Sequence, residues 1–367
     1  MKRELIAIQY LRGLAALLVV IYHLGPQIAR LGHAGAWPAG LSAGVDIFFV
    51  ISGFIMWVTT AERSVTPAAF WLNRIIRIVP LYWLVTCVMV VMLLVAPSLL
   101  QSSKFDLAHI IASFLFVPWQ HPLRPEMSPV VLPGWTLNYE MFFYLLFGFC
   151  LLLPVKARLA TLVGLLLLLS VIGGILNLPI ASIAGFYTRS VIVEFAFGMV
   201  LGQAFLSNRG LRTLGPAAAW ALLIVGLLVM VSMPSSDVYA RAIRYGIPAF
   251  AIVYAALTLE LAGSVRKNRL LHQIGNASYS IYLTQLITMA AFTAGWRKVH
   301  LDHLPGGILL YCIAATLFTL AAGWICYRVV EMPLTNALKR GGRRAHVVPP
   351  PSHFEVAALS GEPGRGE

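Results

Sequence analysis

Charge is what this chain lacks most. Asp, Glu, Lys and Arg make up 11% of its 367 residues, against about 25% in a soluble domain. Apolar side chains make up 59%, and the mean hydropathy is +0.82. This balance excludes an ordinary soluble enzyme and puts the chain in a membrane. Cysteine is also scarce. Cys87, Cys150, Cys312 and Cys326 all lie in apolar stretches and form no CxxC pair. Neither a disulfide framework nor a metal site is predicted, and buried packing is their expected role. Acidic residues number 14 against 27 Lys and Arg, a surplus of +13. The basic residues are scattered between hydrophobic segments, which suits positive-inside topology and not a nucleic-acid partner. A Walker loop, a GxGxxG turn, an HExxH pair and a GxSxG elbow are all missing, so the soluble-enzyme chemistries they mark have no support.

What is present is a series of long apolar runs. Ten are long enough to span a bilayer: roughly 5–25, 44–61, 78–96, 137–154, 158–176, 189–206, 216–233, 244–262, 279–296 and 307–328. An eleventh, 107–118, is shorter and is predicted to be re-entrant or interfacial. With ten spans and the N-terminus inside, eighteen basic residues fall on the cytoplasmic side and eight outside, with Arg12 buried. Counting 107–118 as a span would put the six C-terminal basic residues outside, so ten spans with both termini cytoplasmic is preferred. The fold class expected is therefore all-α, a polytopic helical bundle in a membrane. The first run is read as a retained helix, because it is about 20 residues long and carries an arginine. Residues 1–338 form one membrane domain, and 339–367, which soon turn to Gly, Pro and charge, are read as a disordered cytoplasmic tail.

The polar residues inside this apolar frame are the candidates for function. Arg12 and His23 stand eleven positions apart in the first run. At 100° per residue they share a helix face within about 20°, about 16 Å apart along the axis. A bilayer charges roughly 2.5–3.5 kcal/mol for a central basic group, so a polar track inside the bundle is implied. Asp46 opens the second span at the outer level expected for His23. A carboxylate on one imidazole nitrogen would set the tautomer and leave the other as a general base; alternatively, Asp46 only complements a helix N-terminus. Arg74 and Arg77, three residues apart at the start of the third span, are placed to grip phosphates, or serve only as topology signals. Glu140 opens the fourth span, again toward the outer side, as a substrate-hydroxyl ligand, a second acid/base group or an interfacial residue. Arg189 and Glu194 bracket the start of the sixth span and are expected to pair.

In this order the motifs resemble the bacterial acyltransferase 3 family of integral-membrane enzymes. The matching elements are Tyr10-Leu11-Arg12-Gly13-Leu14 with His23, Gly44-Val45-Asp46-Ile47-Phe48-Phe49-Val50-Ile51-Ser52-Gly53-Phe54, and Arg74-x-x-Arg77 with Pro80-x-Tyr82-Trp83. Trp135-Thr136-Leu137-x-x-Glu140, Ser278-Tyr279-Ser280-Ile281-Tyr282-Leu283 and Glu331-x-Pro333 follow. The opening is most similar to the exopolysaccharide (succinoglycan-type) O-acetyltransferase branch. The resemblance implies transfer of an acyl group, commonly acetyl from acetyl-CoA, to a hydroxyl of a glycan or lipid-linked oligosaccharide, with polysaccharide-synthesis proteins and membrane lipid as neighbours. It also implies functional roles for Arg12, His23, Arg74 and Arg77. Thr284-Gln285 stand where many members carry a histidine. In the mechanism that joins both readings, Arg12, Arg74 and Arg77 hold the cofactor and His23 is the general base. Asp46 orients His23, and Glu140 assists. Direct transfer and an acyl-histidine are both open. The rival reading is a transporter or flippase for lipid-linked sugars, with the polar track as its permeation path.

The topology is testable with reporters. Green fluorescent protein fused after Arg340 should fluoresce, and alkaline phosphatase at the same position should stay inactive. The reverse pattern would place that end outside.

Overall fold

The computed structural model describes residues 4–33, 35–96, 104–207, 211, 214–234, 240–299 and 306–342. Most of the predicted tail, 343–367, lies outside the described residues. Thirteen α-helices account for most of the described residues. They are α1 (Ile6–Arg30), α2 (Gly44–Thr60), α3 (Pro67–Val95), α4 (Leu107–Phe114), α5 (Trp135–Cys150), α6 (Val155–Leu176) and α7 (Ile183–Tyr187). After these come α8 (Val193–Leu206), α9 (Pro216–Ser232), α10 (Ile247–Leu261), α11 (Arg269–Lys298), α12 (Gly307–Cys326) and α13 (Met332–Gly342). Among the described residues β structure is limited to one isolated bridge, Gln120 to Met127. Six of the helical stretches are long and apolar enough to cross a membrane, and a helix lies in each of the ten segments read from hydropathy. The short α4 has eight residues, about 12 Å at 1.5 Å per residue, which is far less than a bilayer core. Its exposed Leu107, Ile111 and Leu115 recur every four residues and form one apolar stripe, as the interfacial reading requires.

Local signals set the helix ends. Thr66 caps α3, its side chain accepting from Ala69 N at 3.3 Å, and Pro67 takes the first helical position, where its missing N–H costs nothing. The helix therefore starts eleven residues before the predicted span, with Arg74, Arg77 and Pro80 inside it. Asp106 caps α4 through His109 N at 2.8 Å. Asn268 caps α11 through Leu270 N and Leu271 N at 2.9 and 3.1 Å. Two contacts set the end of the bundle at which α1 starts, called proximal below. Ala7 N donates to Glu260 at the end of α10 (2.8 Å), and Tyr10 Oη donates to the Arg266 carbonyl before α11 (2.9 Å).

Burial divides the helices. Helices α1, α2, α8 and α10 are largely buried, whereas α6, α9 and α12 bury only one narrow face each and turn Leu, Ile and Val outward. That inverted pattern suits a bundle solvated by lipid, where helices associate through close backbone packing and not through expulsion of water. Glycine makes the closest approaches. A Cβ at Gly53 would collide with the Phe195 carbonyl, and one at Gly198 with the Val50 carbonyl, which seats α2 directly on α8. Gly275 of α11 lies in the same way against the Gln9 carbonyl of α1. These contacts set the heights at which Ser52 and Arg12, one residue from Gly53 and Gly13, face the interior. The cysteines are all unpaired; Cys150 is buried, but Cys87 lies exposed on the outer side of α3, because its position faces away from α5 and α11.

Gly53→Leu should cost at least about 1–3 kcal/mol of packing. The melting temperature of the detergent-purified protein should fall, whereas Gly164→Leu, where nothing lies within 4 Å of the added carbon, should leave it unchanged.

Candidate active site

One cavity of about 210 Å³ runs into the bundle among α1, α2, α3, α5, α11 and the turn leading into α13. Arg12 enters it from α1, Arg74 and Arg77 from α3, Ser52 from α2, Glu140 and Tyr144 from α5, and Glu331 from the wide π-type turn Tyr327–Glu331. Four of the six side chains selected from the sequence therefore meet: Arg12, Arg74, Arg77 and Glu140. His23 and Asp46 do not line the cavity.

Among the described residues, the three arginines share a lack of acidic partners. Arg12 is buried, and its Nη1 donates to the neutral Gln9 Oε1 at 3.2 Å. Arg74 lies over the rings of Phe70 and Tyr144 at 5.8 and 5.9 Å, with its buried Nε unpaired. Among the described residues none of the three has a carboxylate within the 4.0 Å of an ion pair. Buried guanidinium groups ordinarily find anions, because an unmade hydrogen bond to a charged group costs about 1.5–3 kcal/mol. The two carboxylates that line the cavity are held elsewhere. Glu140 accepts from the Tyr144 hydroxyl, one helical turn along, and from Ser52 Oγ at 3.3 Å. Glu331 accepts from Ser280 Oγ at 2.5 Å. The result is a net-positive chamber with open donor groups, suited to an anionic ligand.

The far part of the chamber is lined by Phe48, Thr136 and Tyr282. Phe48 and Tyr282 meet edge to face at 5.9 Å, and Thr136 and Tyr282 hydroxyls share a hydrogen bond at 2.9 Å. Tyr282 also donates to the Pro133 carbonyl at 3.0 Å. Gln285 is buried outside the cavity lining and donates Nε2–H to the Tyr282 carbonyl at 3.0 Å.

The expected His23–Asp46 dyad is not formed. The turn Ala39–Ala43 lies beside α1, so that Gly44, at the start of α2, packs against Ala15 and Val19. Asp46 consequently sits well below His23. It is fully buried and bound bidentately by Arg241, Nε to Oδ1 at 2.9 Å and Nη2 to Oδ2 at 2.6 Å. Arg241 in turn stacks on Trp135 and Tyr245 at 5.8 and 5.3 Å, and buried Glu194 adjoins the pair. The expected Arg189–Glu194 pair is likewise replaced, with Arg189 donating to the Ile180 carbonyl at 2.9 Å and lying over Phe186. His23 has a different partner. Its Nδ1 lies 2.8 Å from the Val19 carbonyl oxygen, an atom that can only accept. The proton therefore resides on Nδ1, and Nε2 keeps its lone pair. A backbone carbonyl sets the tautomer that was assigned to Asp46.

Glu140 is corrected in location as well. It belongs to the arginine chamber and not to the level of His23 or Asp46. Tyr144 and Ser52 escaped notice because a hydroxyl in an apolar helix carries little signal. Tyr144 was nonetheless findable as the fourth residue after Glu140 on a helix. Arg241 had no such signal, since 195 positions separate it from Asp46.

Comparison with known proteins gives a consistent result. A family described as an acyltransferase domain matches residues 5–328. An exopolysaccharide production protein, ExoZ of Rhizobium meliloti, is 38% identical over 305 residues, covering 83% of this chain and 91% of the relative. The peptidoglycan O-acetyltransferase OatA of Listeria monocytogenes is 30% identical over 164 residues, 41% of this chain and 24% of its own length. YrhL of Bacillus subtilis, named as a peptidoglycan O-acetyltransferase, is 25% identical over 375 residues, 92% of this chain and 56% of its own length. No solved structure matches.

Arg241→Ala should destabilise the protein by about 3–5 kcal/mol, since it leaves the Asp46 carboxylate buried and unpaired. Arg77→Ala, which breaks no ion pair among the described residues, should melt close to wild type. Thermal unfolding in detergent, followed by tryptophan fluorescence, distinguishes the two.

Proposed function

The chain belongs to the acyltransferase family, and from that premise we propose that it moves an acetyl group from cytoplasmic acetyl-CoA to a hydroxyl of an exopolysaccharide or lipid-linked glycan. The chamber carries this reading. Arg12, Arg74 and Arg77 present cationic donors to one space, with no carboxylate partner among the described residues, which is what the phosphates of acyl-CoA require. The similarity to ExoZ and OatA supports a glycan acceptor. Ten spans with both termini cytoplasmic, in the bacterial cytoplasmic membrane, put the proximal end of the chamber on the side where acyl-CoA is made. The membrane domain covers at least 1–338, with α13 running on to Gly342. Proteins of polysaccharide synthesis supply the acceptor.

His23 is the general base. Its Nδ1–H is held by the Val19 carbonyl at 2.8 Å, so Nε2 takes the proton of the acceptor hydroxyl. The hydroxyl oxygen attacks the thioester carbonyl, the C–S bond breaks, and the thiolate of CoA departs. The acyl group reaches His23 past the layer of Phe48, Thr136 and Tyr282. Glu140, held by Tyr144 and Ser52, is the second acid/base group on the donor side. Asp46 has no part in the chemistry, because both of its oxygens are engaged by Arg241.

Membranes containing only this protein, supplied with radiolabelled acetyl-CoA and glycan, give the test. His23→Ala should lower transfer by about 10²–10⁴-fold, the usual contribution of a positioned base, and undiminished transfer would remove it from the mechanism. Arg74→Ala should raise the KM for acetyl-CoA by about 10–100-fold, the loss of a charged hydrogen bond. An unchanged KM would reduce Arg74 to a topology signal.

A further inference from the structure

The proximal mouth of the chamber is built partly by α13, which begins four residues past the matched family region at residue 328. Thr335, Asn336 and Lys339 line the cavity. Their spacing of one and then three residues puts them on a single helix face. Lys339 is half-buried while its neighbour Arg340 is exposed, so the two adjacent cations face different surroundings. The helix packs against α3, which carries Arg74 and Arg77. The order of the elements gives the chamber a direction. Thr59 in the last turn of α2, Arg74 near the start of α3 and the α13 face mark its mouth. Phe48, Thr136 and Tyr282, near the start of α2, the start of α5 and the middle of α11, mark its depth.

The two ends differ in chemistry as the two ends of an acyl-CoA differ. The acyl thioester is small and apolar, and the nucleotide carries the phosphates. We propose that the α13 face is a nucleotide subsite, with Lys339 pairing with a phosphate and Asn336 and Thr335 bonding to the nucleotide's polar atoms. This rests on the reading of acyl-CoA as donor, and it extends the binding site beyond the three arginines. It also gives α13 a role that a lysine merely reaching to the membrane surface would not have.

A donor without the nucleotide separates these roles. Acetyl transfer is measured in membranes with acetyl-CoA and with S-acetylpantetheine, which keeps the thioester and lacks both nucleotide and phosphates. Lys339→Ala should raise the KM for acetyl-CoA about tenfold, the loss of one charge-assisted hydrogen bond. It should leave kcat and the KM for S-acetylpantetheine within about twofold of wild type, and Lys339→Arg should restore most of the loss. Asn336→Ala should show the same selective pattern to a smaller degree. Size-exclusion profiles in detergent verify that each variant is folded. If Lys339→Ala has no effect with acetyl-CoA, or an equal effect with both donors, the subsite is overturned while the donor reading stands. If the wild type takes no acetyl group from acetyl-CoA, the donor reading falls and the subsite falls with it.

Discussion

Everything around the chamber answers one constraint, the cost of keeping guanidinium groups inside a bundle that lipid surrounds. A charge in low dielectric must be paired, solvated or left waiting for a ligand. Arg241 shows the paired solution, with a buried carboxylate bound at 2.6 and 2.9 Å and two aromatic rings beneath it. Arg12, Arg74 and Arg77 show the other one. They surround a space, and the carboxylates of that space are occupied by hydroxyl groups. The same residue type thus does structural work at one level of the bundle and offers a binding surface at another.

Holding three like charges around one cavity requires rigid walls. The walls come from glycine contacts that let backbones touch, Gly53 and Gly198 between α2 and α8 and Gly275 between α11 and α1. Hydrogen bonds across helices then lock the lining. Tyr279 donates to the Ile78 carbonyl at 2.8 Å, and Trp71 to the Tyr144 carbonyl at 2.9 Å, so α3 is tied to α11 and α5 on both sides of its arginines. The π-type turn before α13 belongs to the same design, since it is where Glu331 enters the cavity. Such turns are commonly found at functional sites.

Much of this was legible before any coordinates. A charged residue inside an apolar run is costly enough to stand out, which marks Arg12, and the three-residue spacing at the entry to the third span marks the Arg74–Arg77 pair. Glu140 was chosen for the same reason, although its neighbours were misjudged. The His23–Asp46 pairing failed on height. Ends of consecutive helices were assumed to share a level, but α1 runs on to Arg30 and α2 begins beside Ala15–Val19. The presence of each helix was readable, whereas its full length and the path of the connecting segment were not. Lys339 went the same way. Gly-Pro-rich sequence just beyond it suggested a tail, and the amphipathic turns that bring it back to the cavity precede that change of composition.

By itself, the sequence determined that the chain is helical, that it lives in lipid, that it resembles a family of acyltransferases, and which few charges need explaining. These follow from composition and local order, because the cost of an exposed peptide group or a buried charge is paid residue by residue. Only the tertiary structure decided which charges share a space. Asp46 was drawn to Arg241, 195 positions away, His23 was left to a backbone carbonyl, and Glu140 joined the arginines. Those choices depend on the relative heights and rotations of packed helices, which are set by backbone contacts at glycines and by the return of a loop. No local pattern encodes them.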